Sequence, residues 1–331
     1  MTTPVLEIAI GSPELWGISI VAVLALFGLD FVLTRKPHEV SMKEALGWSA
    51  FYIALPLAFG VWIWQAFGSG RGLEFYAGYL VEKSLSVDNL FVFMLLLASF
   101  AVPRELQQRV LLIGVAGALV LRGVFIALGA AMLATFAWTF LLFGAILLAT
   151  AVKVLRDTLN PAEHEIHPND LRIVKLVRRF WPVTDGYRGT RMSVTDGGKR
   201  AITPLALATL AILGTDVVFA VDSVPAVYGI TGDPYLVFVT NAFALLGLRA
   251  LYFVLEGALG ALVHLGFGLA AILAFIGAKL VLHWAHGVWS WVPEVDTLVS
   301  LGVIVAILAI VVTTSLIANR RSRDAAQDVT G

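Results

Sequence analysis

Nine stretches of the chain stay apolar for roughly the 20 residues that a helix needs to cross the hydrocarbon core of a bilayer. They run from about Leu15 to Leu33, Ala45 to Phe67, Phe75 to Phe100, Val110 to Leu133, Thr135 to Leu155, Thr203 to Val224, Tyr235 to Leu255, Ala261 to Leu282 and Thr297 to Ala318. The pattern predicts an all-α, polytopic transmembrane bundle of about nine helices. Glu7 and Glu14, with no Lys or Arg, precede the first run, and no small-residue cleavage site follows it, so it reads as a retained helix rather than a removable signal. The chain then divides into a first membrane part (1–155, helices 1 to 5), a basic cytosolic loop (156–201), a second membrane part (202–318, helices 6 to 9) and a cytosolic tail (319–331). Within the loop, Leu171 to Trp181 places apolar and basic residues at helical spacing, as an amphipathic helix lying on anionic lipid would. Glu163, His164, Glu165 and His167 read as part of a solvated linker.

Composition agrees with the pattern. Of 331 residues, 59% are hydrophobic and 14% charged, against about 45–50% and about 25% in ordinary soluble domains. Lys and Arg (23) balance Asp and Glu (23), so no basic surplus exists for a nucleic-acid partner. The absence of cysteine excludes disulfides, thiolate metal sites, Fe–S clusters and cysteine nucleophiles.

The cations also orient the chain. Eighteen of the 23 fall in alternate loops and the tail, from Arg35, Lys36 and Lys43 to Arg320, Arg321 and Arg323, while Arg71 alone falls on the other side. The positive-inside rule then predicts a multi-pass protein of the cell membrane with its N-terminus outside and its C-terminus cytosolic. Seven of the nine tryptophans lie near the outer ends, as an interfacial aromatic belt would place them.

Four cations remain within or at the rim of the helices: Lys83, Arg122, Arg249 and Lys279. Helix 3 contains Glu82-Lys-Ser-Leu-Ser-Val-Asp88-Asn89 and helix 6 contains Asp216-Val-Val-Phe-Ala-Val-Asp222-Ser223; both read acid, five residues, aspartate, then a small polar residue. The next helices carry Arg122 and Arg249 in similar settings, and the helices after those carry Ala145-Ile-Leu and Ala271-Ile-Leu, each eight residues before Lys153 or Lys279. These matches predict duplicated three-helix units, helices 3 to 5 and 6 to 8. On the topology above, the two units have opposite orientations, an arrangement found in transporters that bind at mid-membrane between their repeats.

A carboxylate at the centre of a membrane helix costs at least about 2.5 kcal/mol, so Glu82, Asp88, Asp216 and Asp222 need compensation. Lys83, Arg122 and Arg249 are the charge partners at hand, and a bound cation is the functional alternative. Carboxylates with Asn89, Ser223 and backbone carbonyls near Pro225 form an oxygen-only donor set, which suits hard divalent ions such as Mg2+, Ca2+ and Mn2+. Residues six apart are about 240° apart round a helix, so Glu82 and Asp88 cannot share a face unless the helix unwinds, whereas Glu82, Ser86 and Asn89 can. Pro225 and Gly229 suggest unwinding after Asp222. Asp30 reads as an interfacial carboxylate, His264 as a packed histidine within helix 8, and His283 and His286 as anchors at the outer interface.

The signature runs Glu82 to Phe93, Thr215 to Ala226 and Leu246 to Tyr252, with Arg35 to Val40 and Pro182 to Asp185, resemble the TerC family of integral membrane proteins, especially its riboswitch-linked Alx-like branch. The resemblance implies export of manganese, as some members perform, and the family name carries an association with tellurite resistance. The expectation is therefore a non-enzymatic exporter with Mn2+ as substrate, no permanently bound cofactor and an open oligomeric state. Its partners would be the bilayer, with anionic lipid at the basic loop, and the metal ion. The alternatives are an assembly or resistance factor without transport, and an intramembrane aspartyl protease, for which Gly214-Thr-Asp216 lacks the Gly-x-Gly-Asp run.

Overall fold

A computed structural model describes residues 9–33, 40–160, 172–184, 186–196, 199–257, 264–289 and 291–328. The long helices are α1 (Pro13–Leu33), α2 (Met42–Phe67), α3 (Ser69–Ser99), α4 (Arg104–Thr135), α5 (Thr139–Leu159), α7 (Pro204–Tyr228), α10 (Leu265–Val288) and α11 (Thr297–Asp328). Shorter elements are α6 (Arg172–Phe180), strands β1 (Ser193–Asp196) and β2 (Lys199–Ile202), α8 (Pro234–Leu246) and α9 (Leu248–Gly257). Over the described residues the apolar runs are helical, the run from Tyr235 forming two helices, α8 and α9. Seven described helices are long and apolar enough to cross a membrane, and α8 and α9 reach that length and apolarity only taken together, across a bend of 42°. At 31 residues, α3 is roughly 45 Å long, ample for a crossing, but it carries Glu82, Lys83 and Asp88 in its middle. The chain is a multi-pass integral membrane protein.

Local signals set most boundaries. Ser41, Thr203 and Asp233 cap α2, α7 and α8 by accepting the backbone N–H groups of Glu44, Ala206 and Tyr235, and Pro204 and Pro234 supply the preset first turn. Gly68, at φ +92°, closes α2 by donating to the Trp64 carbonyl and opens α3 at once, a turn that a side chain would strain.

Several expectations need correction. Thr135 ends α4 rather than opening α5, which starts at Thr139 after a turn in which the Thr139 hydroxyl donates to the Met132 carbonyl. No unwinding occurs at the acidic positions: α3 is continuous past Asp88, and α7 runs through Pro225 to Tyr228. The helix break falls instead between α8 and α9, at Gly247. The loop between α5 and α7 also carries a short antiparallel β1–β2 hairpin, a minor addition to an all-α bundle. Part of that loop packs on the bundle: Ile173, Tyr187 and Met192 join an apolar cluster built from α3, α4, α7 and α9, and the Tyr187 hydroxyl donates to the Phe100 carbonyl at 2.7 Å. The linker acids and histidines from Glu163 to His167 lie outside the described residues.

Half of the apolar windows of α4 and α7 are buried, against 11% of α1's and 17% of α11's, so α4 and α7 are central and α1 and α11 peripheral. With so little apolar burial, α1 is pinned by polar contacts: the Ile10 N–H to Asp233, the Ser19 hydroxyl to the Tyr235 hydroxyl at 2.7 Å, and Asp30 to Arg249. Helices α5 and α10 cross through Gly144 and Gly277. A Cβ at either would stand 2.9 or 3.1 Å from the other glycine's carbonyl oxygen, which shows how closely the backbones approach.

Candidate cation site

The polar residues of α3 and α7 sort by helical face. Glu82, Ser86 and Asn89, four and three residues apart, are all buried, as are Asp216 and Ser223 two turns apart on α7. Asp88 and Asp222 lie round the side of their helices and are only partly buried. The geometric expectation that acids six apart cannot share a face therefore holds, and it holds without any unwinding.

Arg122, wholly buried on α4, ties the inward acids together. Its Nη1 donates to Glu82 Oε1 and, at 3.0 Å, to Asn241 Oδ1 of α8. Its Nη2 and Nε make a bidentate pair with Asp216 at 3.1 and 3.3 Å. One guanidinium thus joins α3, α4, α7 and α8. Counted as ionised groups, this buried knot has two negative charges and one positive, a net negative charge away from the protein surface.

Lys83 and Arg249, expected to pair with these acids, do not reach them. Lys83 donates instead to the Ala244 carbonyl at 3.4 Å, at the helix end created by the Gly247 break, where both the freed carbonyl and the helix dipole favour a cation. Arg249 makes a second knot: Nη2 and Nε hold Asp30 at 2.5 and 3.0 Å, and Nη1 holds Gln108 Oε1 at 3.0 Å. The bend at Gly247 separates α9 from α8, so Arg249 reaches α1 and α4 rather than the α3–α7 seam. Asp30, expected at the interface, is buried as Arg249's partner.

Asp88 and Asp222 take part in no salt bridge among the described residues. On α3 and α7 the buried polar atoms with no hydrogen-bond partner among the described residues include Glu82 Oε2, Ser86 Oγ, Asn89 Nδ2 and Ser223 Oγ. Such atoms are rare in a finished interior because each costs about 1–3 kcal/mol. Among the described residues no three His, Asp or Glu side chains converge as a ready-made metal cluster. The arrangement offers one or two carboxylates at a time, with hydroxyl and amide groups beside them.

The histidines stand apart from this seam. His264 precedes α10 rather than lying inside a helix, because α10 starts at Leu265. His283 pairs with Glu294 at 2.8 Å, and His286 Nδ1 donates to the Val292 carbonyl at 2.5 Å. Both contacts tie the end of α10 to the following loop. Asn241 and Gln108 were not anticipated from the sequence. The polar pair Thr240-Asn241 within the apolar run from Tyr235 was the available signal, since an amide in such a run needs a partner.

Comparison with known proteins agrees with this polar-cored membrane bundle. The chain is 41% identical over 315 residues to an uncharacterized membrane protein of Myxococcus xanthus, covering 95% of each. It is 44% identical over 273 residues to an uncharacterized membrane protein of Mycobacterium tuberculosis strain H37Rv, covering 82% of this chain and 68% of the relative. It is 39% identical over 310 residues to an Escherichia coli K12 protein whose name, Alx, proposes it as a membrane-bound redox modulator, covering 90% and 93%. No solved structure matches. Residues 67–323, which include both ion-pair knots except Asp30, match the model of the integral membrane protein TerC family; the chain belongs to that family.

Proposed function

We propose that the chain exports a hard divalent cation, with manganese the leading substrate, across the cell membrane. Glu82, Asp88, Asn89, Asp216, Asp222 and Ser223 would hold the ion, Arg122 serving as the resting counter-charge. The observation that carries this reading is Glu82 Oε2: a buried carboxylate oxygen without a donor among the described residues, in a knot with one negative charge in excess when its groups are counted as ionised, with further partnerless hydroxyls, Ser86 and Ser223, on the same two helices. A cation satisfies all of these at once, whereas a second fixed salt bridge would have done so permanently. Arg122 then stands where the ion must compete, and Asp88 and Asp222, free of salt bridges, supply the charge that replaces the ion's hydration as it arrives or leaves. A proton exchanged on these carboxylates would couple transport to the proton gradient. Helices α3 to α5 and α7 to α10 serve in this reading as inverted repeats about the seam, with the C-terminus cytosolic. A thiol-based redox role has no cysteine to use in this sequence.

The test is manganese efflux normalised to membrane-inserted protein for Asp88→Asn and Asp222→Asn, which keep size but remove charge. Loss of efflux from folded protein is expected in each. Full efflux in both would remove these aspartates from the path, and no efflux by the wild-type chain would favour an assembly or resistance role.

A further inference from the structure

Helix α6 divides into three sectors. Counting about 100° per residue from Val174, Ile173, Val174 and Val177 occupy one arc; Val174 and Val177 are buried, and Ile173 lies against Gly214 of α7. Arg178, Lys175 and Arg179 follow at roughly 40° to 140°, and Leu176 and Phe180 at roughly 200° to 240°; all five are exposed. Leu176, Phe180 and the adjoining Trp181 are exposed by 54%, 65% and 51%, much for large apolar side chains beside a basic stripe. A helix in water with a docked apolar face needs only two sectors. The third, apolar and outward, has a use where the helix sits in the corner between a membrane bundle and its bilayer, one sector on the protein, one toward acyl chains and one among headgroups.

We infer that α6 is a membrane-surface anchor that binds anionic phospholipid headgroups of the bilayer the chain spans. Arg178 and Arg179 contact the phosphates, while Leu176, Phe180 and Trp181 insert at the headgroup–acyl boundary. The occupant follows from charge complementarity and from position: three cations border the apolar stripe, and the buried sector fastens the helix to a membrane-spanning helix. The expected amphipathic helix on lipid is thereby refined, since its most buried face belongs to α7 and a different face meets the lipid. The inference does not depend on the transport reading.

The cysteine-free chain permits a direct test. A single cysteine at Leu176 or Phe180, carrying an environment-sensitive fluorophore, is followed in vesicles of zwitterionic lipid and in vesicles containing phosphatidylglycerol. A label at exposed Arg188→Cys serves as control. Anionic vesicles should shield the α6 labels from an aqueous quencher while the control stays accessible. Arg178→Gln and Arg179→Gln should each lower the shielded-to-open ratio roughly fivefold, and high salt should act in the same direction. Both arginines are exposed, so these variants leave the packed sector intact, which an unchanged melting midpoint verifies. Labels equally quenched in both vesicle types would overturn the inference. Shielding that rises with protein density and ignores lipid charge would overturn it too, assigning the face to a second copy of the chain.

Discussion

Replacing Arg122 by methionine isolates the central knot. The substitution keeps a long unbranched side chain but removes the four hydrogen bonds to Glu82, Asp216 and Asn241. It also leaves Glu82 and Asp216, 0% and 1% exposed, as adjacent uncompensated carboxylates. Breaking a buried pair by removing one partner typically costs about 3–5 kcal/mol, and here two acids lose the same partner, so the lower bound is about 3 kcal/mol. That is a large part of the roughly 5–15 kcal/mol by which proteins are stable, and corresponds to a fall of on the order of 10 °C in the melting midpoint. Arg188→Met, at an exposed loop position, should change little. The decisive comparison is the triple variant Arg122→Met, Glu82→Gln, Asp216→Asn, because a knot without charges has no unpaired ion to bury. It should regain most of the loss while remaining inactive. The assay is thermal unfolding of detergent-solubilised protein together with the membrane-inserted fraction. An Arg122→Met protein as stable as wild type, or a triple variant no better than the single, would refute the claim that the acids are held by this charge.

Further outcomes follow from other contacts. Arg249→Gln should cost about 3–5 kcal/mol, and addition of Asp30→Asn should recover part of it, a coupling of roughly 0.5–3 kcal/mol in a double-mutant cycle of melting data. Gly144→Ala and Gly277→Ala should each destabilise by roughly 1–3 kcal/mol, because the new methyl meets a facing backbone carbonyl at 2.9 or 3.1 Å, whereas Gly214→Ala meets only Ile173 at 3.6 Å and should be close to neutral by the same melting assay. Burial pushes the Tyr187 hydroxyl up to about 12 from its ordinary 10.0. The neutral, hydrogen-bonded form is thus the one the folded loop prefers, and this contribution is fully present below pH 10, then declines toward pH 12. Tyr187→Phe should remove that alkaline dependence and cost about 1 kcal/mol, read by proteolysis of the loop across pH.

The membrane class was legible because the length of an apolar run is a local property, and over the described residues the runs predicted from Leu15 to Ala318 are helical, one of them as two helices. The seam residues were legible for a related reason: charge in an apolar run is expensive wherever the helix packs, so Glu82, Arg122 and Asp216 had to find partners. Helical angle alone also separated inward Glu82, Ser86 and Asn89 from Asp88. Partner choice was not local. Arg122 and Arg249 sit in similar sequence settings, yet one takes Glu82 and Asp216 and the other takes Asp30, 219 positions away. Nothing near Leu-Gly-Leu-Arg249 distinguishes a break from a continuous helix, while Pro225, the stronger local breaker, lies inside unbroken α7. Where each charge ends depends on which helices stand beside it and how far a bend such as Gly247 redirects the next turn. Those are properties of the assembled bundle, in which packing over many helices outweighs the preference of any one segment.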